Sequence, residues 1–177
     1  MYRHPLDGNE ASELPLPFLN NGIAQIALVV RDLDRTVESY YRLFGIEPWH
    51  FYTYEVPFVA TMKRHGRDAR HGMRIALSYF GESRIELIEH LYGDTVYAEH
   101  LAQHGPGLQH LGVVVENMEE AIVQAKRAGI SVIQEGSGFG PQGDGHYAYL
   151  NTEELIGFTL ELIQRQRGRK PPEKVYP

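Results

Sequence analysis

The chain of 177 residues contains no cysteine. Disulfides and thiolate metal sites are therefore excluded, and any metal must sit on nitrogen and oxygen ligands. An apolar run of the roughly 20 residues that a membrane helix needs is also missing. The first residues, Met1-Tyr-Arg-His-Pro, lack the apolar stretch of a secretory signal. The expectation is a cytoplasmic protein with no membrane partner. Excess positive charge is absent too, the formal net charge being -6. That argues against nucleic acid as the main partner, because phosphate binding needs a basic surface. The end of the chain runs against this balance. Residues 165–177 hold Arg165, Arg167, Arg169, Lys170 and Lys174 against Glu173 alone, so the body is more acidic than the whole.

What the chain does have is an internal repeat. Gln25-Ile-Ala-Leu-Val-Val-Arg-Asp-Leu-Asp is matched by His110-Leu-Gly-Val-Val-Val-Glu-Asn-Met-Glu. Each copy places one metal-capable side chain at the head of an apolar run, followed by a turn and a helix. Each half closes on a second matched strand, Arg84-Ile-Glu86-Leu-Ile and Thr159-Leu-Glu161-Leu-Ile. A match in register that includes the turn residues Asp32 and Asn117 points to duplication.

The two-residue alternation predicts a strand over 23–30, with Gln25, Ala27 and Val29 on one face. Asp32 caps a helix that Gly45 stops. Further strands are expected over 46–54, 73–80 and 83–90, the last two joined by a tight turn at Gly81-Glu82. Residues 55–72 carry no clear pattern. A short helix over 96–104 leads to Gly105-Pro-Gly107, and the pattern restarts. It gives a strand over 108–115, a helix from Asn117 to about Ala128, and strands over 130–134, 146–150 and 158–164. The Gly-rich stretch Gly136–Gly145 lacks the Lys-Ser/Thr of a P-loop and reads as a hairpin that could serve as a lid. Each half is thus β-α-β-β-β. The expected division is an irregular arm over 1–21, modules over 22–104 and 105–164, and a basic flexible tail over 165–177.

On their strands, Glu86 shares a face with Arg84, Ile88 and His90, and Glu161 with Thr159 and Ile163. Ile85, Leu87, Leu160 and Leu162 point the other way, toward helix-backed cores. Taken singly, each of Gln25, Glu86, His110 and Glu161 has an ordinary explanation as a surface, salt-bridged or structural residue. Together, at symmetric places, they suggest a buried site. Two unpaired carboxylates in one cavity are costly, and a divalent cation with the neutral donors His110 and Gln25 resolves that cost.

On these residues the chain resembles the vicinal oxygen chelate superfamily, over about Gly22 to Gln164. That superfamily includes glyoxalase I, methylmalonyl-CoA epimerase, extradiol dioxygenases and antibiotic-resistance binding proteins. The segment Ile85-Glu-Leu-Ile-Glu-His, then Tyr97-Ala-Glu-His-Leu-Ala-Gln-His-Gly-Pro-Gly-Leu-Gln-His-Leu, is most similar to methylmalonyl-CoA epimerase. The resemblance implies an α+β fold of two paired βαβββ modules, their curved mixed sheet enclosing a metal cleft. It implies metal ligands at Gln25, Glu86, His110 and Glu161, holding one zinc, nickel, cobalt, manganese or iron ion, and it implies a homodimer. The order Gln, Glu, His, Glu is that of the human-type glyoxalase I set, whereas the epimerases have His first and Gln second. Their second catalytic glutamate has only a loose match in Glu55. Gln25 in place of a first histidine counts against iron-dependent ring cleavage.

The implied chemistry is metal-assisted proton abstraction next to a carbonyl, through an enolate. Glu161 is the expected base, with Glu86 or Glu55 for the opposite face. The expected substrate is a small carbonyl compound or an acyl-CoA thioester, the alternative being the thiol adduct of a 2-oxoaldehyde. A metal-free module that sequesters a small molecule is the reading from outside enzymology. Lys63, Arg64, Arg67, Arg70 and Arg74 form a basic run that could hold substrate anions or be a solvated loop. Tyr52, Tyr54, Phe58 and Tyr79 could line an aromatic cavity or be plain core. His50, His65, His71 and His146 have no partner spacing that singles them out, and His90 is a candidate neighbour of the site through Glu86.

Overall fold

Strand β1 (Gln25–Val30) lies in the middle of the sheet, flanked by strands from both halves of the repeat. In the computed structural model, which describes residues 16–177, β1 runs parallel to β6 (Ser83–Tyr92) and antiparallel to β7 (Gly107–Val114). Strand β7 is in turn parallel to β10 (Thr159–Gln164). Outward from β6 come β5 (Gly72–Phe80) and β2 (Trp49–Tyr54). Outward from β10 come β9 (Gly145–Leu150) and β8 (Val132–Phe139). The two sides mirror one another, as the duplicated sequence predicts. The result is an α+β fold around one curled, mixed, eleven-stranded sheet.

Local signals place the helices. Asp32 accepts a hydrogen bond from the Arg35 amide (2.9 Å), and Gly45, at φ 66°, closes α1 (Leu33–Phe44). Asn117 caps α3 (Met118–Arg127) in the equivalent place, through the Glu120 amide. Leu33 and Val37 pack on Ile85 and Leu87. Met118, Ala121 and Ala125 pack on Leu160 and Leu162. Both helices therefore cover the outer face of the sheet. By alternation, Glu86 and Glu161 must point to the inner face. That face carries its own core, rich in aromatics, against which α2 (Val96–Gln103) sets Val96 and Tyr97.

Long-range pairing changes several sequence expectations. Residues 55–72 contain two short strands, β3 (Thr61–Arg64) and β4 (Arg67–Asp68). Strand β3 pairs antiparallel with β8, so a segment of the first half extends the far edge of the second. This partner also explains why half of the Gly-rich stretch is strand. Strand β8 continues to Phe139, with β3 on one side and β9 on the other. Gly136 is tolerated there because the Tyr147 ring lies over it, and a Cβ would come within 2.5 Å of that ring. Only residues 140–144 remain as a turn, so the expected lid is a paired hairpin.

The tail, expected to be flexible, forms an edge strand. Strand β11 (Lys174–Tyr176) pairs with β2, and the Glu173 carboxylate accepts bonds from the amide (2.8 Å) and hydroxyl (2.9 Å) of Thr53. The Lys174 ammonium is 2.6 Å from Asp34. The exposed edge of β2 offers unpaired backbone groups, and the end of the chain satisfies them. Of the expected N-terminal arm, residues 1–15 lie outside the described part. Pro17–Asn21 forms a 3-10 turn that buries Phe18 against the α3 core. Among the described residues no helix is long and apolar enough to cross a membrane.

Candidate metal centre and its cavity

The four residues picked out by the repeat converge on the inner face. Strand register brings them together: on β7, Gly112 is opposite both Gln25 and Glu161, while Ala27 is opposite both His110 and Glu86. Gly112 is the quiet member of this arrangement. A Cβ there would come within 2.9 Å of both Gln25 Cβ and Glu161 Oε2, and within 2.7 Å of Ile163 Cδ1. Only a residue without a side chain lets the two flanking strands aim their polar groups at a common point.

One ligand atom each from Glu86, His110 and Glu161 lies within 4.8 Å of the other two. His110 Nε2 is 3.2 Å from Glu161 Oε2 and 3.6 Å from Glu86 Oε2. The Gln25 amide nitrogen donates to Glu86 Oε2 (2.7 Å) and Glu161 Oε2 (2.9 Å), while its oxygen accepts from Arg84 Nε (2.6 Å). All four side chains are buried, His110 completely.

Burial alone would lower the His110 pKa. The carboxylates of Glu161 and Glu86 outweigh it and raise the value to about 9. Burial raises Glu161 above the usual carboxylate range, Glu86 adds to this, and His110 and Arg84 oppose it.

The other ring nitrogen of His110 is held by its chain neighbour. Gln109 Oε1 lies 2.7 Å from His110 Nδ1. Adjacent strand residues normally face opposite ways, but the β1–β7 register skips Gln109, pairing Ala27 with His110 and Leu28 with Leu108. Gln109 is thus the extra residue of a β-bulge, a device that re-aims side chains beside functional sites. A carbonyl acceptor on Nδ1 favours the tautomer with its proton there. Nε2 is then free to bind a metal, as second contacts of metal-bound histidines commonly arrange. This donor set fits a divalent cation: one imidazole and two carboxylates, with a neutral amide beside them and no sulfur.

Gln25, Glu86 and Glu161 line a cavity of about 40 Å³. Its walls are apolar and aromatic on one side, including Tyr54, Ile75, Ile88 and Phe139, with Arg84, Arg165, Gln166 and Arg169 also lining it. Three further tyrosines stand around the ligands. Tyr97 and Tyr149 share a hydroxyl hydrogen bond (2.7 Å), and Tyr149 packs on His110 with ring centroids 4.8 Å apart. Tyr147 Oη is buried and has no partner among the described residues. Burial, reinforced by the nearby carboxylates, pushes all three phenols well above their ordinary pKa, so they stay protonated donors.

Other candidates fall elsewhere. Glu55 accepts a bond from Tyr92 Oη (2.8 Å) and does not line the cavity. His90 lies 2.9 Å from the Gly93 carbonyl rather than beside Glu86. The basic run is dispersed. Arg64 is buried and ion-paired with Glu99, Lys63 pairs with Glu135, and Arg74 bridges Asp34 and Glu89. Of the four aromatics, Tyr54 reaches the cavity, Tyr52 and Phe58 belong to the adjoining core, and Tyr79 is exposed on an outer groove. Sequence reasoning missed Gln109 and Gly112. Neither a lone glutamine nor a strand glycine carries a local signal of such a role.

Residues 24–150 match the family model described as Glyoxalase/Bleomycin resistance protein/Dioxygenase superfamily. Among solved structures, the chain is similar to a hypothetical protein from Bacillus halodurans, with 21% identity, a TM-score of 0.58, and 84% and 96% of the two chains covered. It is also similar to methylmalonyl-CoA epimerase from Mycobacterium tuberculosis, with 20% identity, a TM-score of 0.58, and coverage of 82% and 89%. A third is Streptomyces coelicolor methylmalonyl-CoA epimerase in complex with 2-nitronate-propionyl-CoA, with 22% identity, a TM-score of 0.59, and coverage of 82% and 97%. At these identities the likeness is one of fold. No curated protein matches the chain.

Proposed function

The chain belongs to the Glyoxalase/Bleomycin resistance protein/Dioxygenase superfamily, and from that premise we propose that it is a metal-dependent isomerase or lyase moving a proton at the carbon next to a substrate carbonyl. The observation that carries this reading is the buried group of Glu86, His110 and Glu161, whose two carboxylates line a cavity. These three would hold one divalent cation. Gln25 would join them with its amide oxygen turned inward, exchanging its bond to Arg84 for the cation. When bound, such a cation polarises a carbonyl oxygen and offsets the charge of the enolate.

The chain's own residues supply the rest. Glu161 is the proposed base, because its carboxylate lines the cavity beside His110, where a substrate carbonyl at the same centre would come within reach. Glu86, on the adjoining strand side of the same cavity, is the candidate for returning the proton on the other face. Glu55 drops out, since its carboxylate is engaged by Tyr92 away from the cavity. The Tyr147 hydroxyl can donate to a substrate oxygen. The apolar walls exclude water that would otherwise quench the carbanion.

The test is metal content after purification, followed by deuterium exchange at the carbon next to the carbonyl. Acyl-CoA thioesters and the hemithioacetal of glutathione and methylglyoxal are the substrates to compare. Near-stoichiometric metal in the native chain and its loss in Glu161→Ala are expected. Glu161→Gln should slow exchange by about 10²-fold or more. Exchange with the hemithioacetal alone would select a glyoxalase-like lyase. Absence of metal after reconstitution would overturn the enzymatic reading and leave a binding module.

A further inference from the structure

The wall of the metal-site cavity is firm on all sides but one. Most of its lining residues stand on sheet strands, where ladder hydrogen bonds fix them. Tyr97, on α2, is completely buried. The remaining three, Arg165, Gln166 and Arg169, belong to the connection from β10 to β11. That connection has neither kind of support. Residues 165–173 form no helix or strand, and no residue of 165–177 is buried.

Two anchors hold the segment, one on each half of the repeat. On the second half, the Arg167 amide donates to both carboxylate oxygens of Asp144 (3.2 and 3.1 Å), in the turn between β8 and β9. On the first half, Glu173 accepts from Thr53, Lys174 pairs with Asp34, and β11 adds three residues to the edge of β2. Pro171 and Pro172 have no amide proton to donate, so they add nothing to that ladder. Between the anchors, Arg169 and Lys170 lie over aromatic rings, 5.5 Å from the Tyr52 centroid and 4.8 Å from that of Phe58. Gly168 stands just past the first anchor with φ at 79°, a setting glycine adopts without strain.

The anchor on β2 is the one suited to open. Its ion pair joins two half-exposed side chains, and such pairs contribute little. A short edge strand with no buried side chain opens at low cost. Opening is also required by size. The cavity is about 40 Å³, where one water needs roughly 10–15 Å³. An acyl thioester or a hemithioacetal is larger than that, so part of the wall must yield before either enters.

We propose that residues 169–177 are a strap that swings about Gly168, and that release of β11 from β2 admits ligands to the cavity. The metal-centred reading supplies what enters, and the strap is tested without metal. The reporter is Ile75→Cys, whose thiol lines the cavity and has no competitor in a chain without cysteine. Met73→Cys, on the same strand, is the second reporter should the first fail to fold. Metal-free, full-length protein is treated with dithiodipyridine, an uncharged reagent larger than the cavity, and the thiol reaction is followed by absorbance. The anchor is broken with Glu173→Ala/Lys174→Ala. The control is Glu38→Ala/Arg42→Ala, which removes an exposed ion pair on α1.

The expected result is a reaction about tenfold or more faster with the anchor broken, since the bonds from Thr53 end on a charged carboxylate. The control should react at the rate of the parent, and the urea midpoint should be the same in all three. Equal rates with the anchor intact and broken would overturn the proposal. So would equal acceleration in the control, or acceleration that follows a fall in urea midpoint, since either assigns access to general loosening. Zinc uptake by native protein is measured separately. Its absence would overturn the metal-centred reading and leave the thiol rates to decide the strap.

Discussion

Gln109 holds the imidazole of its own chain neighbour, His110, through a 2.7 Å contact that only a β-bulge makes possible. The contact sets which nitrogen of His110 faces the two carboxylates. Replacing Gln109 by leucine keeps the volume and removes the acceptor. Metal affinity should fall about 10- to 100-fold, as for other residues that orient metal-bound histidines. Gln109→Glu should retain most of it. Competition against a chromogenic chelator reads the change, and a circular dichroism spectrum identical to native would show that the sheet is intact.

Gly112 makes room for the site. An alanine methyl would press on the side chains of Ile163, Gln25 and Glu161 at once, at 2.7–2.9 Å, and the Gln25 contact is at its Cβ, which cannot swing aside. Overpacking of this kind costs about 1–3 kcal/mol. Gly112→Ala should lower the midpoint of urea unfolding by a corresponding amount and reduce metal stoichiometry. A variant as stable and as metal-rich as native protein would show that the strands around β7 relax freely.

An acid sensitivity is expected from His71, which lies outside the Glu86, His110 and Glu161 group. It is 1% exposed, and neither ring nitrogen has a partner among the described residues. Burial, then the nearby His90 and Arg64, lower its pKa from 6.5 to about 4. The unfolded chain therefore binds the proton more readily than the folded one between those values. Stability should fall as pH drops from about 6.5 toward 4. Native protein should lose melting temperature across this window faster than His71→Leu does. Parallel pH profiles for the two would assign the acid sensitivity to other groups.

The parts of this protein legible in its sequence are those written in local pattern. Asp32 and Asn117 begin helices because a short acceptor side chain satisfies free amides one turn on. The polar positions Gln25, Glu86, His110 and Glu161 stand out because period-two alternation puts them opposite the helix-packed residues Ile85, Leu87, Leu160 and Leu162. Duplication then implies that matched positions meet about a common axis.

Other features exist only once distant segments meet. Strand β3 finds β8, and β11 finds β2, because open sheet edges need backbone partners, and nothing within Thr61–Arg64 or Lys174–Tyr176 specifies which edge. Gln109 becomes a positioning residue only through a register slip against β1, and Gly112 matters only for what stands across from it. Arg165 and Arg169 read as part of a solvated tail, and they line the cavity because β11 pairs with β2 beyond them. Composition and periodicity determined the two halves, their helices and the four polar positions on the inner face, since these depend on short-range sterics and burial. Tertiary structure decided the cavity and, through the β1–β7 register, the orientation of His110, because each depends on contacts between segments far apart in the chain.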